Sequence, residues 1–185
     1  LTARRYELEH LTNDLVSLGE SRVDLKPHQV SVVHRVITNY PHRFLLCDEV
    51  GLGKTIEAGL ILKELRARGG AERTLIITPA NLTDQWRREL HDKFGETFSV
   101  VNRATINAAY GRNVWDDTPQ CITSVDFVAR QDDILQLLRD VHFDLCIVDE
   151  AHKMAAYRYG TKVNKTQRYE LGEFLRDHTD HYLFL

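Results

Sequence analysis

The sequence predicts an α/β domain in three layers, with a mainly parallel central sheet flanked by helices. Six short apolar runs alternate along the chain with stretches of helical periodicity. The runs lack a polar alternation, which is typical of strands buried on both faces of a parallel sheet. A chain of 185 residues with 43% hydrophobic residues is also long enough to bury one core. The predicted strands are 43–47, 74–78, 98–101, 120–123, 143–148 and 181–185.

Helical periodicity predicts the segments that connect these strands. Pro27 suits the first turn of a helix, because a proline lacks the N–H that would have no partner there. Gly69 and Gly70 suit the end of another helix. Residues 102–118 carry no clear pattern. The predicted helices are 2–18, 27–40, 54–68, 82–93, one that contains 134–138, and 167–177.

Composition excludes several classes of protein. The 24 Lys and Arg residues against 27 Asp and Glu residues give a net charge of −3, which argues against a uniformly basic nucleic-acid coat protein but allows a local basic face. No apolar run reaches the roughly 18 residues of a membrane span, so we expect no membrane association. The three cysteines have no C-x-x-C spacing and are expected to be reduced core thiols of a cytosolic protein. Because the first residue is Leu, we expect a part of a longer protein.

A glycine-bearing loop follows the first predicted strand and opens a helix, which is the context of a phosphate-binding loop. Successive backbone N–H groups and the helix N-terminus would face phosphate oxygens, the lysine would reach the β- and γ-phosphates, and the threonine hydroxyl would bind Mg²⁺. The alternative is a glycine turn before a helix whose lysine is merely solvated. The usual pattern has glycine where this chain has Asp48. The loop residues are Asp48, Glu49, Val50, Gly51, Leu52, Gly53, Lys54 and Thr55.

Two carboxylates follow the fifth predicted strand, where a parallel sheet presents its ligand edge. Asp149 would hold Mg²⁺, and Glu150 would orient and deprotonate an attacking water. His152 could couple the pair to its surroundings. By itself this segment is more often a solvated acidic turn. Its occurrence together with the lysine–threonine loop favours a nucleotide site with Lys54, Asp149 and Glu150 as the catalytic residues.

With the loop and the two carboxylates placed, the chain resembles the first RecA-like lobe of the Swi/Snf-type ATPases of helicase superfamily 2. Residues 48–59 are most similar to the sequence of the RapA-like bacterial branch of that family. The resemblance implies that aspartate in place of the usual glycine at position 48 is typical of this family. It implies that Gln29, in a segment similar to the family's Q-type motif, hydrogen-bonds adenine. It also implies contacts to a nucleic-acid backbone from segments similar to motifs Ia and Ib. Those residues are Thr78, Pro79, Ala80, Asn81, Thr123 and Ser124.

The resemblance implies an ATP- and Mg²⁺-dependent enzyme that couples hydrolysis to movement along duplex DNA or to remodelling of protein–DNA complexes. Residues 1–24 would form a helical extension and residues 25–185 the lobe, ending before motif III. The expected partners are duplex DNA, a second RecA-like lobe outside this chain, and RNA polymerase or a defence-system protein. Without that lobe the chain alone is predicted to be inactive. The expected location is the cytoplasm of a bacterial or archaeal cell, at the nucleoid.

Two alternatives remain open at this stage. One is a strand-separating or RNA-directed helicase of the same superfamily, and the other is a P-loop nucleotide switch that binds a protein partner. Residues 153–176 hold six basic and two acidic residues, which predicts either a face for a phosphate backbone or a solvated loop. Trp86 and Trp115 could stack on bases. Trp86 is better explained as a core residue, because it shares a helical stripe with Leu82 and Leu90.

Overall fold

A computed structural model describes residues 15, 17, 22–47, 53–159 and 162–185. Within these ranges, six strands form a parallel sheet in the order β1-β8-β5-β2-β4-β3, and β6 and β7 form a separate antiparallel hairpin. The strands are β1 (Arg43–Leu45), β2 (Thr74–Thr78), β3 (Ser99–Val100), β4 (Gln120–Ser124), β5 (Phe143–Val148), β6 (Tyr157–Tyr159), β7 (Lys162–Asn164) and β8 (Thr179–Phe184).

Helices connect the strands of the sheet. Short 3₁₀ helices at Ala80–Leu82 and Ala151–Lys153 follow β2 and β5. The α-helices are α1 (Pro27–Ile37), α2 (Lys54–Ala67), α3 (Thr83–Phe94), α4 (Arg103–Ala108), α5 (Val114–Asp117), α6 (Val125–Ala129), α7 (Asp132–Arg139) and α8 (Gln167–Asp177).

The sheet is buried on both faces, as the unbroken apolar runs predict. Side chains of β2 alternate between two hydrophobic clusters: Ile76 packs with α1, α2 and α3, whereas Leu75 and Ile77 pack with α6, α7 and α8. All five residues of β2 are buried. The three-layer α/β architecture predicted from the sequence is therefore confirmed.

Several element boundaries differ from the prediction. Helix α1 ends at Ile37, whereas the prediction placed its end near residue 40. The side chains of Thr38 and Asn39 donate hydrogen bonds to backbone carbonyls of the last turn, which closes the helix there. β8 begins at Thr179, two residues earlier than predicted.

Other differences concern the middle of the chain. The helix predicted around residues 134–138 is preceded by a separate one, α6, which Ser124 caps by accepting a hydrogen bond from the backbone N–H of Phe127. Residues 102–118, which show no clear sequence pattern, form the short helices α4 and α5, capped by Asn102 and Asn113. Asparagine is a favoured N-cap residue, but it predicts a helix only when an apolar repeat follows it. Helices as short as α4 and α5 have too few apolar positions to show such a repeat.

Most of the predicted N-terminal helix 2–18 lies outside the described residues. Leu15 and Ser17 are described, and neither is helical, so the predicted end of that helix is wrong. Leu15 is buried in the same cluster as α1, α2 and α3. The backbone N–H and the hydroxyl of Ser17 both donate to Glu64 Oε2, at 2.9 and 2.8 Å. Leu15 and Ser17 therefore pack against the core that α1, α2 and α3 help to form.

The prediction that the cysteines are core thiols is confirmed for two residues and wrong for one. Cys121 and Cys146 are buried thiols, and burial raises the pKa of each, so both stay protonated. Cys47 is exposed, because it follows β1 at the edge of the sheet. None of the helices in the described ranges combines the length and apolar character of a bilayer-spanning segment.

Candidate functional site

A cleft with a volume of about 390 Å³ opens at the carboxyl edge of the sheet. It brings together the start of α2, one side of α3, the segment after β5 and the end of the chain after β8. Lys54 and Thr55 thus share one cavity with Asp149 and Glu150, as the two motifs predict for a parallel sheet. The lining residues are Gly53, Lys54, Thr55, Ile56, Glu89, Lys93, Asp149, Glu150, His152 and Leu185.

The start of α2 faces this cleft through Gly53, Lys54 and Thr55. Gly53 has a left-handed backbone with a φ of 95°, and a Cβ there would lie 2.9 Å from Gln29 Nε2, so glycine is required. The first backbone N–H groups of a helix have no intrahelical acceptor and carry the positive end of the helix dipole. The arrangement suits an anion. The predicted loop residues Asp48, Glu49, Val50, Gly51 and Leu52 lie outside the described residues.

The carboxylate of Asp149 is held by two hydrogen bonds. Its Oδ1 accepts the backbone N–H of Glu150 at 2.9 Å, and its Oδ2 accepts the indole Nε1–H of Trp86 at 2.9 Å. Two donors, one on each oxygen, fix the plane of the carboxylate. The remaining lone pairs are available toward the cleft that Asp149 lines.

Glu150 has a left-handed backbone with a φ of 55°, which is uncommon for a residue other than glycine. Its Oε2 lies 3.3 Å from His152 Nε2 and 3.7 Å from Lys153 Nζ. The side chain is 40% exposed at the cleft. A strained backbone of this kind, costing on the order of 1–3 kcal/mol, is often found at functional positions. The contact places His152 beside Glu150, and its predicted role in coupling the two carboxylates to their surroundings stays a prediction.

Sequence reasoning missed the α3 wall of the cleft. Lys93 Nζ donates to Glu89 Oε2 at 2.9 Å, and Gln85 Nε2 donates to Glu89 Oε1 at 2.8 Å. Burial by itself would raise the pKa of Glu89, but the hydrogen bonds from Lys93 and Gln85, with the Lys93 charge, outweigh it and lower the pKa. The i, i+4 spacing of Glu89 and Lys93 signals an ion pair but does not indicate that the pair borders a cavity.

Gln29 lies beside Gly53 and is not among the residues that line the cleft. It is only 3% exposed, and its Oε1 accepts the backbone N–H of Lys26 at 3.2 Å. Its Nε2 is the atom that excludes a Cβ at Gly53. A contact between Gln29 and adenine stays a prediction.

The structure corrects the prediction for two of the nucleic-acid residues. Thr78 and Thr123 are fully buried. The hydroxyl of Thr78 donates to the carbonyl of Pro79, and that of Thr123 donates to the carbonyl of Val101. Both threonines belong to central strands covered on both faces, so neither hydroxyl can reach a phosphate.

The other four predicted residues lie at one edge of the sheet. Thr78 and Ser124 are partners in the parallel register of β2 and β4, so Pro79, Ala80 and Asn81 begin beside Ser124. Ala80 and Asn81 are exposed, whereas Pro79 and Ser124 are half-buried. A contact of these residues with nucleic acid stays a prediction.

The basic stretch after β5 is partly neutralised by ion pairs. Arg168 donates to Asp126 Oδ1 from Nε and Nη2, at 2.9 and 2.7 Å, which ties α8 to α6. Lys165 Nζ donates to Glu173 Oε2 at 2.6 Å. Two of the cations expected to attract a phosphate backbone are therefore engaged within the chain.

The two tryptophans are both buried. Trp86 is 2% exposed, which confirms the core interpretation, and Trp115 is fully buried. Base stacking by either side chain is therefore a wrong interpretation. The hydrogen bond from Trp86 to Asp149 was not foreseen, because it joins residues 63 positions apart.

Solved structures of related architecture support the fold. A SWI2/SNF2 ATPase core from Sulfolobus solfataricus in complex with dsDNA matches 90% of this chain with a TM-score of 0.71 at 17% identity, over 32% of its own length. The Sulfolobus solfataricus SWI2/SNF2 ATPase core domain matches the same share with a TM-score of 0.69 at 18% identity. At these identities the likeness concerns the fold.

Relatives of known name match almost the whole chain. The RNA polymerase-associated protein RapA of Yersinia pestis (strain Pestoides F) is 37% identical over 185 residues, which are 99% of this chain and 19% of that protein. RapA of Yersinia pseudotuberculosis serotype O:1b (strain IP 31758) is 36% identical over the same share. The chain thus spans about a fifth of the length of these relatives.

The family comparison agrees with both results. The model of the SNF2-related domain matches residues 28–168, which include Lys54, Thr55, Asp149 and Glu150 of the cleft. The chain therefore belongs to the SNF2-related domain family.

Proposed function

We propose that the chain is the ATP-binding lobe of a Swi/Snf-type DNA-dependent ATPase, which couples hydrolysis to movement along duplex DNA or to remodelling of protein–DNA complexes. The observation that carries the proposal is the cleft in which Lys54 and Thr55 meet Asp149 and Glu150. A cation and free N–H groups on one wall suit the phosphates. Two carboxylates on the other suit a metal ion and an attacking water.

In this proposal, the predicted site residues divide the work of binding and hydrolysis. Lys54 binds the β- and γ-phosphates, and Gly53 with the loop residues 48–52 presents backbone N–H groups to them. Glu150 orients the attacking water and accepts its proton, and His152 holds the Glu150 carboxylate in place. Gln29 contacts adenine from beside Gly53.

The residues present also fit a magnesium ion. The Thr55 hydroxyl and the Asp149 carboxylate supply the hard oxygen ligands that Mg²⁺ prefers, and both line the cleft. We propose that these two residues hold it. When bound, Mg²⁺ neutralises charge on the phosphates and thereby favours attack at the terminal phosphorus.

Duplex DNA is the proposed partner of the sheet edge formed by Pro79, Ala80, Asn81 and Ser124. Small side chains and backbone amides suit phosphate oxygens and carry no base code, so binding would be independent of sequence and dependent on salt. The Sulfolobus relative solved with dsDNA supports DNA over RNA. A second RecA-like lobe would complete the ATP site.

The RapA relatives support a setting for the whole protein. Because they are named as RNA polymerase-associated, we propose RNA polymerase as a protein partner ahead of a defence-system protein. We correspondingly propose the bacterial cytoplasm as its location.

The test is ATP hydrolysis by the longer protein that contains this chain, with and without duplex DNA. Lys54→Ala removes the phosphate-binding cation and should weaken nucleotide binding. Glu150→Gln should keep binding but lower turnover by roughly 10²–10⁴, the usual contribution of general base catalysis. Glu72→Gln, an exposed glutamate outside the cleft, is the matched control and should hydrolyse ATP at the wild-type rate. Wild-type turnover in the Glu150→Gln protein would refute the assignment.

A further inference from the structure

We infer that Trp86 is a positioning residue, whose indole N–H holds the Asp149 carboxylate in the orientation that a magnesium ion requires. This inference rests on the proposed function, because it concerns the metal-binding carboxylate of the same cleft. Trp86 itself does not line the cleft. It acts through Asp149 from the wall behind it.

The hydrogen bond is well defined. Trp86 Nε1 lies 2.9 Å from Asp149 Oδ2, and the indole is 2% exposed, so water does not compete strongly for its N–H. The other oxygen of Asp149 accepts the backbone N–H of Glu150. Without the indole, one oxygen would lose its donor and the carboxylate could turn about its last side-chain torsion.

An indole is chemically suited to this task. Its N–H is a donor with no acceptor capacity, so it orients the carboxylate and cannot itself bind the metal. Hydrogen bonds to a metal-binding side chain from such outer partners fix its geometry. Their loss typically costs roughly 10–100-fold in metal affinity or activity.

The donor is also held rigidly. Trp86 lies on the buried side of α3 with Leu90 and Phe94, and both of these are at most 2% exposed. Phe94 in turn packs directly against Gly59 of α2, the helix that begins with Lys54 and Thr55. The packing of α2 against α3 therefore holds the two walls of the cleft in place. The hydrogen bond from Trp86 to Asp149 joins α3 to the segment after β5.

Trp115 provides a matched control within the chain. It is the other of the two tryptophans in the sequence, it is fully buried, and its Nε1–H has no hydrogen-bond partner among the described residues. It belongs to the cluster on the opposite face of the sheet from Trp86. Trp115→Phe thus removes a buried indole of the same size without touching Asp149.

The first experiment measures binding of a fluorescent ATP analogue to the chain over a range of Mg²⁺ concentrations. Trp86→Phe should raise the Mg²⁺ concentration needed for half-maximal binding by roughly tenfold, the lower bound for loss of such a partner. At saturating Mg²⁺ its affinity should return to the wild-type value. Trp115→Phe should leave the Mg²⁺ dependence unchanged.

The outcomes separate the positioning role from a structural one. If Trp86→Phe weakens binding equally at every Mg²⁺ concentration, or leaves the Mg²⁺ dependence of the wild type, the inference is wrong while the nucleotide site stands. Lys54→Ala tests the site itself. Wild-type binding by that variant would overturn the proposed function together with the inference.

A second measurement keeps the wild-type sequence, so it does not depend on the folding of the Trp86→Phe chain. The chain labelled with 5-fluorotryptophan should give one ¹⁹F resonance for each tryptophan, assigned with the Trp115→Phe chain. Addition of Mg²⁺ to the chain with ATP already bound should shift the Trp86 resonance and leave that of Trp115 in place. A Trp86 resonance that stays unchanged when Mg²⁺ joins an already bound nucleotide would contradict the inference.

Discussion

His181 is a nearly buried histidine in β8, and its surroundings disfavour its charged form. It is 7% exposed, its Nδ1 has no hydrogen-bond partner within the described part of the chain, and its ring lies 4.5 Å from that of His42. Burial is the largest cause that lowers its pKa, and the charges of His42 and Arg43 add to it. Asp180 and Asp144 oppose the shift without reversing it.

This environment predicts a loss of stability in mild acid. A histidine with a lowered folded-state pKa is neutral in the folded chain, so its stabilising contribution is complete above the unfolded pKa of about 6.5. That contribution is lost as the pH falls from there through the folded pKa. His181→Phe should therefore flatten the pH dependence of the urea midpoint between about pH 7.5 and 5. An equally steep dependence in the variant would assign the acid sensitivity to other groups.

The packing of α2 against α3 depends on one glycine. A Cβ at Gly59 would lie 2.2 Å from a ring carbon of Phe94, and that ring is only 2% exposed and cannot turn aside. Glycine costs a helix roughly 1 kcal/mol relative to alanine, and here the close approach of the two helices outweighs that cost. Because α2 begins with Lys54 and α3 carries Glu89 and Lys93, this contact also holds two walls of the cleft together.

Gly59→Ala should accordingly destabilise the chain by about 1–3 kcal/mol, the usual cost of overpacking a core. The control is Gly172→Ala in α8, where a Cβ would meet Met154 Sδ at 3.4 Å, an end of a flexible side chain. That substitution should be neutral or stabilise by up to about 1 kcal/mol, because alanine favours the helix. Chemical denaturation of both variants measures the difference. Equal free energies of unfolding would mean that α2 and α3 can separate without cost.

At the scale of the whole molecule, the N-terminal segment contributes to the core of the lobe. Leu15 is 6% exposed within the cluster of α1, α2 and α3, and Ser17 donates two hydrogen bonds to Glu64. Arg68 Nε donates to the other oxygen of that buried carboxylate at 2.7 Å. Leu15 and Ser17 of the predicted extension therefore pack against the rest of the chain, and the boundary at residue 24 stays a prediction.

Leu15→Ala should lower the free energy of unfolding by about 2–5 kcal/mol, as for other buried leucines. Leu45→Ala removes the same side chain from a position that is 61% exposed on the edge strand, and should change stability by no more than about 0.5 kcal/mol. Thermal or urea unfolding compares the two. A Leu15→Ala chain as stable as the Leu45→Ala chain would mean that Leu15 does not contribute to the core.

Local sequence determined the sheet and the two motifs that meet at its carboxyl edge. Unbroken apolar runs such as 74–78 and 143–148 identify strands covered on both sides, because a strand with one solvated face would alternate. The residues that follow such strands must share one edge of a parallel sheet. Lys54 and Glu150 could therefore be assigned to one cleft without knowledge of the strand order.

Tertiary structure decided which side chains support that cleft and which cannot take part. The pairing of β2 with β5 and the docking of α3 bring Trp86 to Asp149, although 63 positions separate them. The same packing buries Thr78 and Thr123 and pairs Arg168 with Asp126. Periodicity reports whether a local segment is buried, but the partner of a side chain depends on how distant segments pack, and no local pattern records that.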